Sequence, residues 1–274
     1  MVQNILSIDV EEVFHGEYTR SSRGNARYRS VENLPLVLDL LRDYDIYATF
    51  FVVGEIAERF PEVLKMIKAE GHEVSFHGWS HLPLWEQDAE SFRLEVERFL
   101  KLHPDCLGYR APSFSLDERS RWALRVLEDA GIQYDSSIFP VKTTLYGVPK
   151  APLMPYRPSK DDLTEEDDSG IWEFPLLVYS FLGVRIPAAG GFYLRLMPSL
   201  VRKAIRARNV QGFPAIIYVH NWELDPLTPI LGLNPYRSFI TYHNIEKTRE
   251  FFKRLLHSFQ FLSFAKYMKV AGMI

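Results

Sequence analysis

The stretch ILSIDVEE, residues 5–12, joins a short apolar run to three acidic residues and decides the fold. Two later stretches repeat this design, since HEVSF leads into His77 and His81 of HGWSH, and AIIYV leads into His220. Each apolar run is typical of a buried strand, so the polar clusters fall at strand ends. Ligands bind at strand ends in barrels and open α/β sheets. Two of the three carboxylates, together with the three imidazoles, suffice for one mononuclear metal centre.

Helical and strand-like segments alternate along the first 140 residues. Helical periodicity over residues 30–46, 61–71 and 88–102 separates the strand-like runs IYATFFVV, HEVSF and CLGYR. This alternation predicts an α/β fold with a parallel sheet. With 274 residues and 47% apolar content, a single barrel-like domain is favoured.

Composition excludes several classes of function. The formal net charge of −3 gives no support for a nucleic-acid partner. A single cysteine, Cys106, rules out an intramolecular disulfide and suits a reducing compartment. The N-terminus lacks a basic segment, and no apolar stretch is long enough to span a bilayer, so we expect a cytoplasmic protein without a membrane span.

The composition changes after Pro140. The segment PSKDDLTEEDDSG, with its acidic core at residues 159–169, contains almost no apolar residue. Such a segment is typical of a solvated surface loop, and a substrate lid is the functional alternative.

The spacing of the acidic and imidazole side chains indicates how they converge. In a strand, residues i and i+2 face the same way, so Asp9 and Glu11 project together. His77 and His81 are four positions apart and can meet at one point. Two histidines and one carboxylate leave open positions on Zn²⁺ for water and substrate.

Five segments occur in the order of known family motifs: SIDVEE, ATFFVVGE, GHEVSFHGWSH, GYRAPSFS and VHNWE. With them the chain resembles the polysaccharide deacetylases, carbohydrate esterases of family four. The segments YDSSIFP, AAGGFYLRLMP and NPYRSFITYHN resemble the subfamily associated with exosortase and exopolysaccharide gene clusters. The resemblance implies a distorted (β/α) barrel with fewer than eight strands. It also implies one catalytic domain over residues 1–274, with an insertion at about 141–214 and a C-terminal extension at about 224–274.

The resemblance implies roles for the N-terminal acids and the histidine pair. Asp9 is expected to be the catalytic base, and His77 and His81 are expected to bind the metal with a carboxylate. The family pattern has two adjacent aspartates, whereas this chain has Val10 after Asp9. Strand geometry selects Glu11 as the third ligand, and Glu12 is the alternative if the strand has already turned.

The later motifs imply the remaining catalytic roles. Arg110 matches the family arginine that orients the base, and His220 matches the general acid. Asp135 is the candidate carboxylate partner of His220, and Glu173 competes for that role.

Four residues are candidates for substrate binding. Pro112 shapes the Arg110 loop, and Tyr218 replaces the leucine that usually lines the acetyl pocket. Trp79 and Trp222 are expected near the groove because predicted site residues bracket them, and their rings suit pyranose stacking.

These assignments predict a metal-dependent hydrolase that removes N-acetyl groups from amino-sugar units of a polysaccharide. The expected substrate is an exopolysaccharide or its precursor, and the expected cofactor is one divalent ion, Zn²⁺ before Co²⁺ or Ni²⁺. Two alternatives are an amidohydrolase acting on a small amide, with or without metal, and a non-catalytic glycan-binding protein.

Overall fold

A curled parallel sheet organises the chain. The computed structural model describes residues 2–25 and 27–274. Seven strands pair in parallel in the order β9-β1-β2-β3-β4-β5-β6, and the two-residue β10 pairs in parallel with the start of β1. The prediction of a distorted barrel with fewer than eight strands is confirmed. The strands are β1 (Asn4–Val10), β2 (Thr49–Val52), β3 (Glu73–Phe76), β4 (Gly108–Tyr109), β5 (Tyr134–Asp135), β6 (Trp172–Glu173), β7 (Val178–Phe181), β8 (Val184–Pro187), β9 (Ile216–His220) and β10 (Phe261–Leu262).

Helices cover the outside of this sheet. Most of the early helices follow a strand, as parallel crossovers require. Asp88, the first residue of the predicted helical segment 88–102, caps α4, since its side chain accepts a hydrogen bond from the Ser91 N–H. The helices are α1 (Ser30–Asp43), α2 (Gly54–Arg59), α3 (Glu62–Ala69), α4 (Ala89–Leu102), α5 (Trp122–Asp129), α6 (Gly191–Leu196), α7 (Pro198–Val210), α8 (Pro235–Tyr242), α9 (Thr248–Ser258) and α10 (Phe264–Val270).

The strand β1 lies at the centre of the core. All seven of its residues are buried, and it pairs with β2 on one side and β9 on the other. Asp9 in β1 is in register with His220 in β9. Because paired residues in neighbouring strands point to the same face, this register brings the first and last motifs together.

The segment after β5 adds an antiparallel hairpin, β7–β8, which lies outside the parallel sheet. The acidic segment 159–169 is anchored through Leu163, which is buried and whose carbonyl accepts a hydrogen bond from Tyr156 Oη at 2.6 Å. The division of residues 1–274 into one catalytic domain with an insertion and an extension stays a prediction. Among the described residues, none of the helices has both the length and the apolar character needed to cross a membrane.

Candidate active site

A pocket of about 370 Å³ opens at the carboxyl ends of the central strands. The polar side chains on its floor come from the ends of β1, β3 and β9. Its walls are mainly aromatic and aliphatic, and no residue of the fully described acidic segment 159–169 lines it. The floor consists of Asp9, Glu11, His77, His81, His220 and Glu223.

Glu11, His77 and His81 form a compact donor cluster. One ligand atom from each lies within 4.8 Å of the other two, and all three residues are buried. The carboxylate Oε2 of Glu11 is 2.6 Å from His81 Nε2 and 4.0 Å from His77 Nε2. These positions agree with the spacing argument that brought the two histidines to one point.

The donor set fits a divalent cation. Glu11 Oε2 is buried, and its charged neighbours within the described part of the chain are the Nε2 atoms of His77 and His81, so the three donor atoms face one point. His77 Nδ1 lies 2.9 Å from the Arg110 carbonyl oxygen, so Nδ1–H donates there and Nε2 is free to ligate. Burial lowers the pKa of His77 to about 4 against the opposing effect of Asp9, so the imidazole is neutral at pH 7, as a ligand must be.

The remaining contacts of Glu11 fix its orientation. Its Oε1 accepts a hydrogen bond from Trp222 Nε1 at 3.1 Å, and its backbone N–H donates to Asn221 Oδ1 at 3.0 Å. Burial raises its pKa, but the imidazoles of His81 and His220 outweigh burial and bring the pKa well below its usual range. The carboxylate is therefore ionised at neutral pH.

Glu12 faces away from this cluster. Its carboxylate accepts hydrogen bonds from the backbone N–H groups of Arg29 and Ser30 at 2.9 and 2.8 Å, and from Ser30 Oγ at 2.6 Å. Glu12 thus satisfies the first turn of α1. The alternative in which Glu12 approaches the metal position is not what the structure shows.

Asp9 and Arg110 form a buried ion pair. The guanidinium donates from Nη1 to Asp9 Oδ1 at 2.7 Å and to Ser7 Oγ at 2.8 Å. Its Nε donates to the Ser136 carbonyl at 3.0 Å, and its Nη2 donates to Ser136 Oγ at 2.9 Å. Asp9 Oδ2 then lies 3.8 Å from His77 Nε2, so the carboxylate is held beside the donor cluster.

His220 is held by Glu223. Its Nδ1 lies 2.9 Å from Glu223 Oε2, which also accepts a hydrogen bond from the His220 backbone N–H at 3.0 Å. Its Nε2 points into the pocket, 3.6 Å from Glu11 Oε1. Burial lowers the pKa of His220, but Glu11 and Glu223 outweigh burial and raise it to about 9. The imidazolium form is therefore favoured at neutral pH.

The prediction that Asp135 or Glu173 holds His220 is wrong. Asp135 Oδ1 accepts a hydrogen bond from Ser137 Oγ, and Glu173 Oε1 accepts one from the Ile138 N–H at 2.9 Å. The two acids are paired residues of β5 and β6, where burial raises the pKa of Asp135 to about 6. They stabilise the loop after β5 instead of facing the pocket.

Two of the four predicted substrate-binding residues line the pocket. Trp222 stacks on His220 with ring centroids 5.2 Å apart, and Tyr218 lies beside Phe114 at 5.1 Å. A Cβ atom on Gly190 would lie 2.5 Å from Tyr218 Oη, so the glycine makes room for this tyrosine.

Trp79 and Pro112 do not line the pocket, and both predictions are corrected. The Trp79 ring packs on Gly54, with the Arg98 guanidinium 3.8 Å from its centroid. Pro112 packs against Gly78, and the next two residues, Ser113 and Phe114, line the pocket instead.

Sequence reasoning missed most of the pocket walls. Residues 143–146, residues 192–193, and Tyr236 with residues 239–241 contribute three wall segments, and Tyr18 contributes another. The tyrosines at 18 and 236 meet edge to face with centroids 6.1 Å apart. The available signal in the sequence was the number of aromatic residues in these wall segments, because clusters of apolar rings outside the core often mark binding sites.

Family comparisons divide the chain into two parts. The model described as polysaccharide deacetylase matches residues 25–134, and a model described as a domain of unknown function, DUF3473, matches residues 136–269. His220, Glu223 and Arg195 therefore belong to the second match, whereas His77, His81 and Arg110 belong to the first.

Two curated relatives match shorter segments. A peptidoglycan-N-acetylglucosamine deacetylase of Bacillus cereus is 33% identical over 100 residues, which is 34% of this chain and 36% of the relative. Chitin deacetylase 1 of Cryptococcus neoformans is 36% identical over 92 residues, 32% of this chain and 20% of the relative. The chain thus spans about a third of the first relative and a fifth of the second.

The fold also has solved counterparts. A Mycobacterium smegmatis protein assigned to the polysaccharide deacetylases superposes with a TM-score of 0.56 at 17% identity, covering 96% of this chain and 87% of its own. At this identity the likeness shows the fold alone. The family match and the shared fold lead to one conclusion: residues 25–134 match the polysaccharide deacetylase family and continue into a DUF3473 region over residues 136–269, in a chain with the fold of a solved protein assigned to the polysaccharide deacetylases.

Proposed function

We propose that the protein is a metal-dependent hydrolase that removes N-acetyl groups from the amino-sugar units of a polysaccharide. One observation carries the proposal: Asp9 and His220 both lie next to the donor cluster of Glu11, His77 and His81, with Asp9 Oδ2 3.8 Å from His77 Nε2 and His220 Nε2 3.6 Å from Glu11 Oε1. Amide hydrolysis needs a proton acceptor for the attacking water and a proton donor for the leaving amine, and this arrangement offers both.

Glu11, His77 and His81 are the residues that would hold the cation. A divalent ion such as Zn²⁺ supplies Lewis-acid polarisation of the amide carbonyl and acidifies water. One carboxylate and two imidazoles are donors of the kind that catalytic zinc sites use.

Asp9 is the proposed base. Its Oδ1 is engaged by Arg110 at 2.7 Å, which leaves Oδ2 to accept a proton from the attacking water as the new carbon–oxygen bond forms. Because the aspartate and the arginine are both buried, this pair is shielded from competing water.

His220 is the proposed acid. Its raised pKa, about 9, keeps a proton on the ring at neutral pH, and its Nε2 faces the pocket while Nδ1 is held by Glu223. Transfer of this proton to nitrogen accompanies cleavage of the carbon–nitrogen bond and gives acetate and a free amine.

The pocket walls support a sugar substrate. Aromatic rings from Tyr18, Tyr146, Tyr193, Tyr236 and Trp222 surround the floor, and flat apolar ring faces suit pyranose rings. The resemblance of the C-terminal motifs directs the proposal to an exopolysaccharide or its precursor as the acetylated polymer.

Acetate release tests this function directly. Purified protein is incubated with N-acetylglucosamine oligomers and other acetylated oligosaccharides, first with chelator and then with Zn²⁺, Co²⁺ or Ni²⁺ restored. We expect release that stops with chelator and returns with metal. Glycan binding without release under every metal would favour a binding protein. Turnover of small amides alone, without metal, would favour the other alternative.

A further inference from the structure

The buried Arg195 lines the pocket and pairs with Glu223, the carboxylate that holds the proposed proton donor His220. It extends from α6 and is 2% exposed. Its Nη1 donates to Glu223 Oε1, on the far side of the carboxylate from His220. His220, Glu223 and Arg195 therefore form a continuous chain from the pocket into the protein.

The other donors of Arg195 attach this chain of residues to the C-terminal end of α8. Nε donates to the His243 carbonyl at 2.9 Å, and Nη2 donates to the Thr241 carbonyl at 3.0 Å. Thr241 and its neighbour Ile240 also line the pocket. One planar guanidinium thus joins the acid's carboxylate partner to a wall of the pocket, which a lysine nitrogen cannot do with equal geometry.

Gly191 shows how closely this assembly is fitted. A Cβ atom on this glycine would lie 2.0 Å from Glu223 Oε2. The glycine's backbone therefore limits the carboxylate on one side while Arg195 holds it on the other. In the position held by these two residues, Glu223 Oε2 lies 2.9 Å from His220 Nδ1.

We propose that Arg195 is a positioning residue that fixes Glu223, and through it His220, to the backbone of residues 241–243. On this proposal, which rests on the proposed deacetylase function, the region described as a domain of unknown function supplies the proton-donor assembly of the active site. His220, Glu223, Gly191, Arg195 and the 241–243 segment all fall within residues 136–269.

The leaving group separates a positioning role from a merely structural one. An amine must be protonated as it leaves, whereas 4-nitrophenolate leaves as a stable anion. Both substrates require Asp9 and the donor cluster, but only the amide requires His220 as acid. Loss of the assembly should therefore lower amide hydrolysis much more than hydrolysis of 4-nitrophenyl acetate.

The experiment compares kcat on an N-acetylglucosamine oligomer with kcat on 4-nitrophenyl acetate for Arg195→Met, Arg195→Lys and Gly191→Ala. We expect Arg195→Met to lose about 10²-fold on the oligomer and no more than about 3-fold on the ester. Arg195→Lys should retain part of the oligomer activity. Gly191→Ala should show the same split, a larger loss of kcat on the oligomer than on the ester, without deleting a charge.

Matched controls make each outcome decisive. Arg208→Met removes another buried arginine, whose Nη1 contacts Met154 away from the pocket, and should lower neither rate selectively. His220→Ala should reproduce the split, and Asp9→Asn should lower both rates.

Equal losses on both substrates, or no loss, in the folded Arg195 and Gly191 variants would overturn the proposal. If Arg195→Met does not fold, Arg195→Lys and Gly191→Ala carry the same comparison. An unmodified protein that releases acetate from neither substrate would contradict the deacetylase function instead.

Discussion

The adjacent acids Glu11 and Glu12 provide a matched pair for testing the metal site. Glu11 contributes to the donor cluster a buried oxygen that faces the imidazoles of His77 and His81, whereas Glu12 is fully engaged at the first turn of α1. We expect Zn²⁺ to raise the unfolding temperature of the unmodified protein and of Glu12→Gln. The rise should disappear in Glu11→Gln, because a neutral amide is a poor substitute for a carboxylate ligand.

The size of the effect follows from ligand linkage and chain length. Metal at about 100 times its dissociation constant stabilises the folded state by about 2.7 kcal/mol. For 274 residues the unfolding entropy near the midpoint is roughly 0.6 kcal/mol per degree, so this stabilisation is about 5 °C. If Glu11→Gln weakens binding about 100-fold or more, the rise falls below about 1 °C.

Glu12→Gln should behave in the opposite way. It weakens hydrogen bonds from Arg29 and Ser30 and should lower the metal-free midpoint by about 3 °C, for a cost of about 2 kcal/mol. The metal-induced rise should then remain near 5 °C.

Calorimetry of chelator-treated protein with increasing Zn²⁺ measures both quantities. His103→Gln serves as a control for adventitious binding, since this buried histidine lies outside the site. A metal-induced rise in Glu11→Gln equal to that of the unmodified protein, or its loss in Glu12→Gln, would refute the assignment of the third ligand.

Three further predictions concern proton transfer and the buried ion pairs. Asp9→Asn and His220→Ala should each lower kcat for acetate release about 10²-fold or more, and the double variant should lose less than the product because the two groups act together; near-normal steady-state rates would contradict these roles. Arg110→Met leaves the Asp9 carboxylate buried without its cation, so calorimetry should show about 3–5 kcal/mol lower stability, and an unchanged midpoint would argue against the pair. Glu223→Gln removes a carboxylate that raises the pKa of His220, so the ring loses its proton at lower pH; the basic limb of the kcat–pH profile, measured with the same metal, should move to lower pH, and an unmoved limb would count against His220 as acid.

The floor of the site was largely predictable because its determinants are local. Alternation along a strand selected Glu11 over Glu12, and the structure places Glu11 in the donor cluster. The four-residue spacing likewise brought His77 and His81 together at the end of β3. Strand periodicity depends on neighbouring residues alone, so a single sequence carries it.

The partner of His220 was missed although it lies only three residues away. The strand β9 ends at His220, and a short 3₁₀ turn over Asn221–Leu224 folds Glu223 back onto the ring. Asp135 was favoured from a loose motif match, but β5 directs it toward Glu173. A carboxylate three positions after the histidine was the pattern to test, because a tight turn brings positions i and i+3 together.

Trp79 and the pocket walls show a second limit of sequence reasoning. Gly78 has φ of 70°, so the chain changes direction between His77 and Trp79, and the indole packs on Gly54. Trp79 therefore lies outside the site although His77 and His81, on either side of it in the sequence, belong to the site. The walls at 143–146 and at Tyr236 with 239–241 come from distant segments without a common period, and only the tertiary fold brings them together.

Two of the three carboxylates on the pocket floor have permanent cations as partners. Asp9 is paired with Arg110, and Glu223 is paired with Arg195. Burying a carboxylate without such a partner carries a large desolvation cost, so these arginines explain how the two acids remain ionised inside the protein.

Glu11 differs from both. Within the described ranges 2–25 and 27–274, its ion-pair partners are only histidines: His77, His81 and His220. An imidazole that binds a cation must be neutral, so the two histidines of the donor cluster cannot also neutralise Glu11 when they act as ligands. A divalent cation at the cluster would supply the charge that Arg110 and Arg195 supply elsewhere. The distribution of permanent charge across the floor thus favours Glu11, His77 and His81 as metal ligands. The distances between their ligand atoms favour the same three residues.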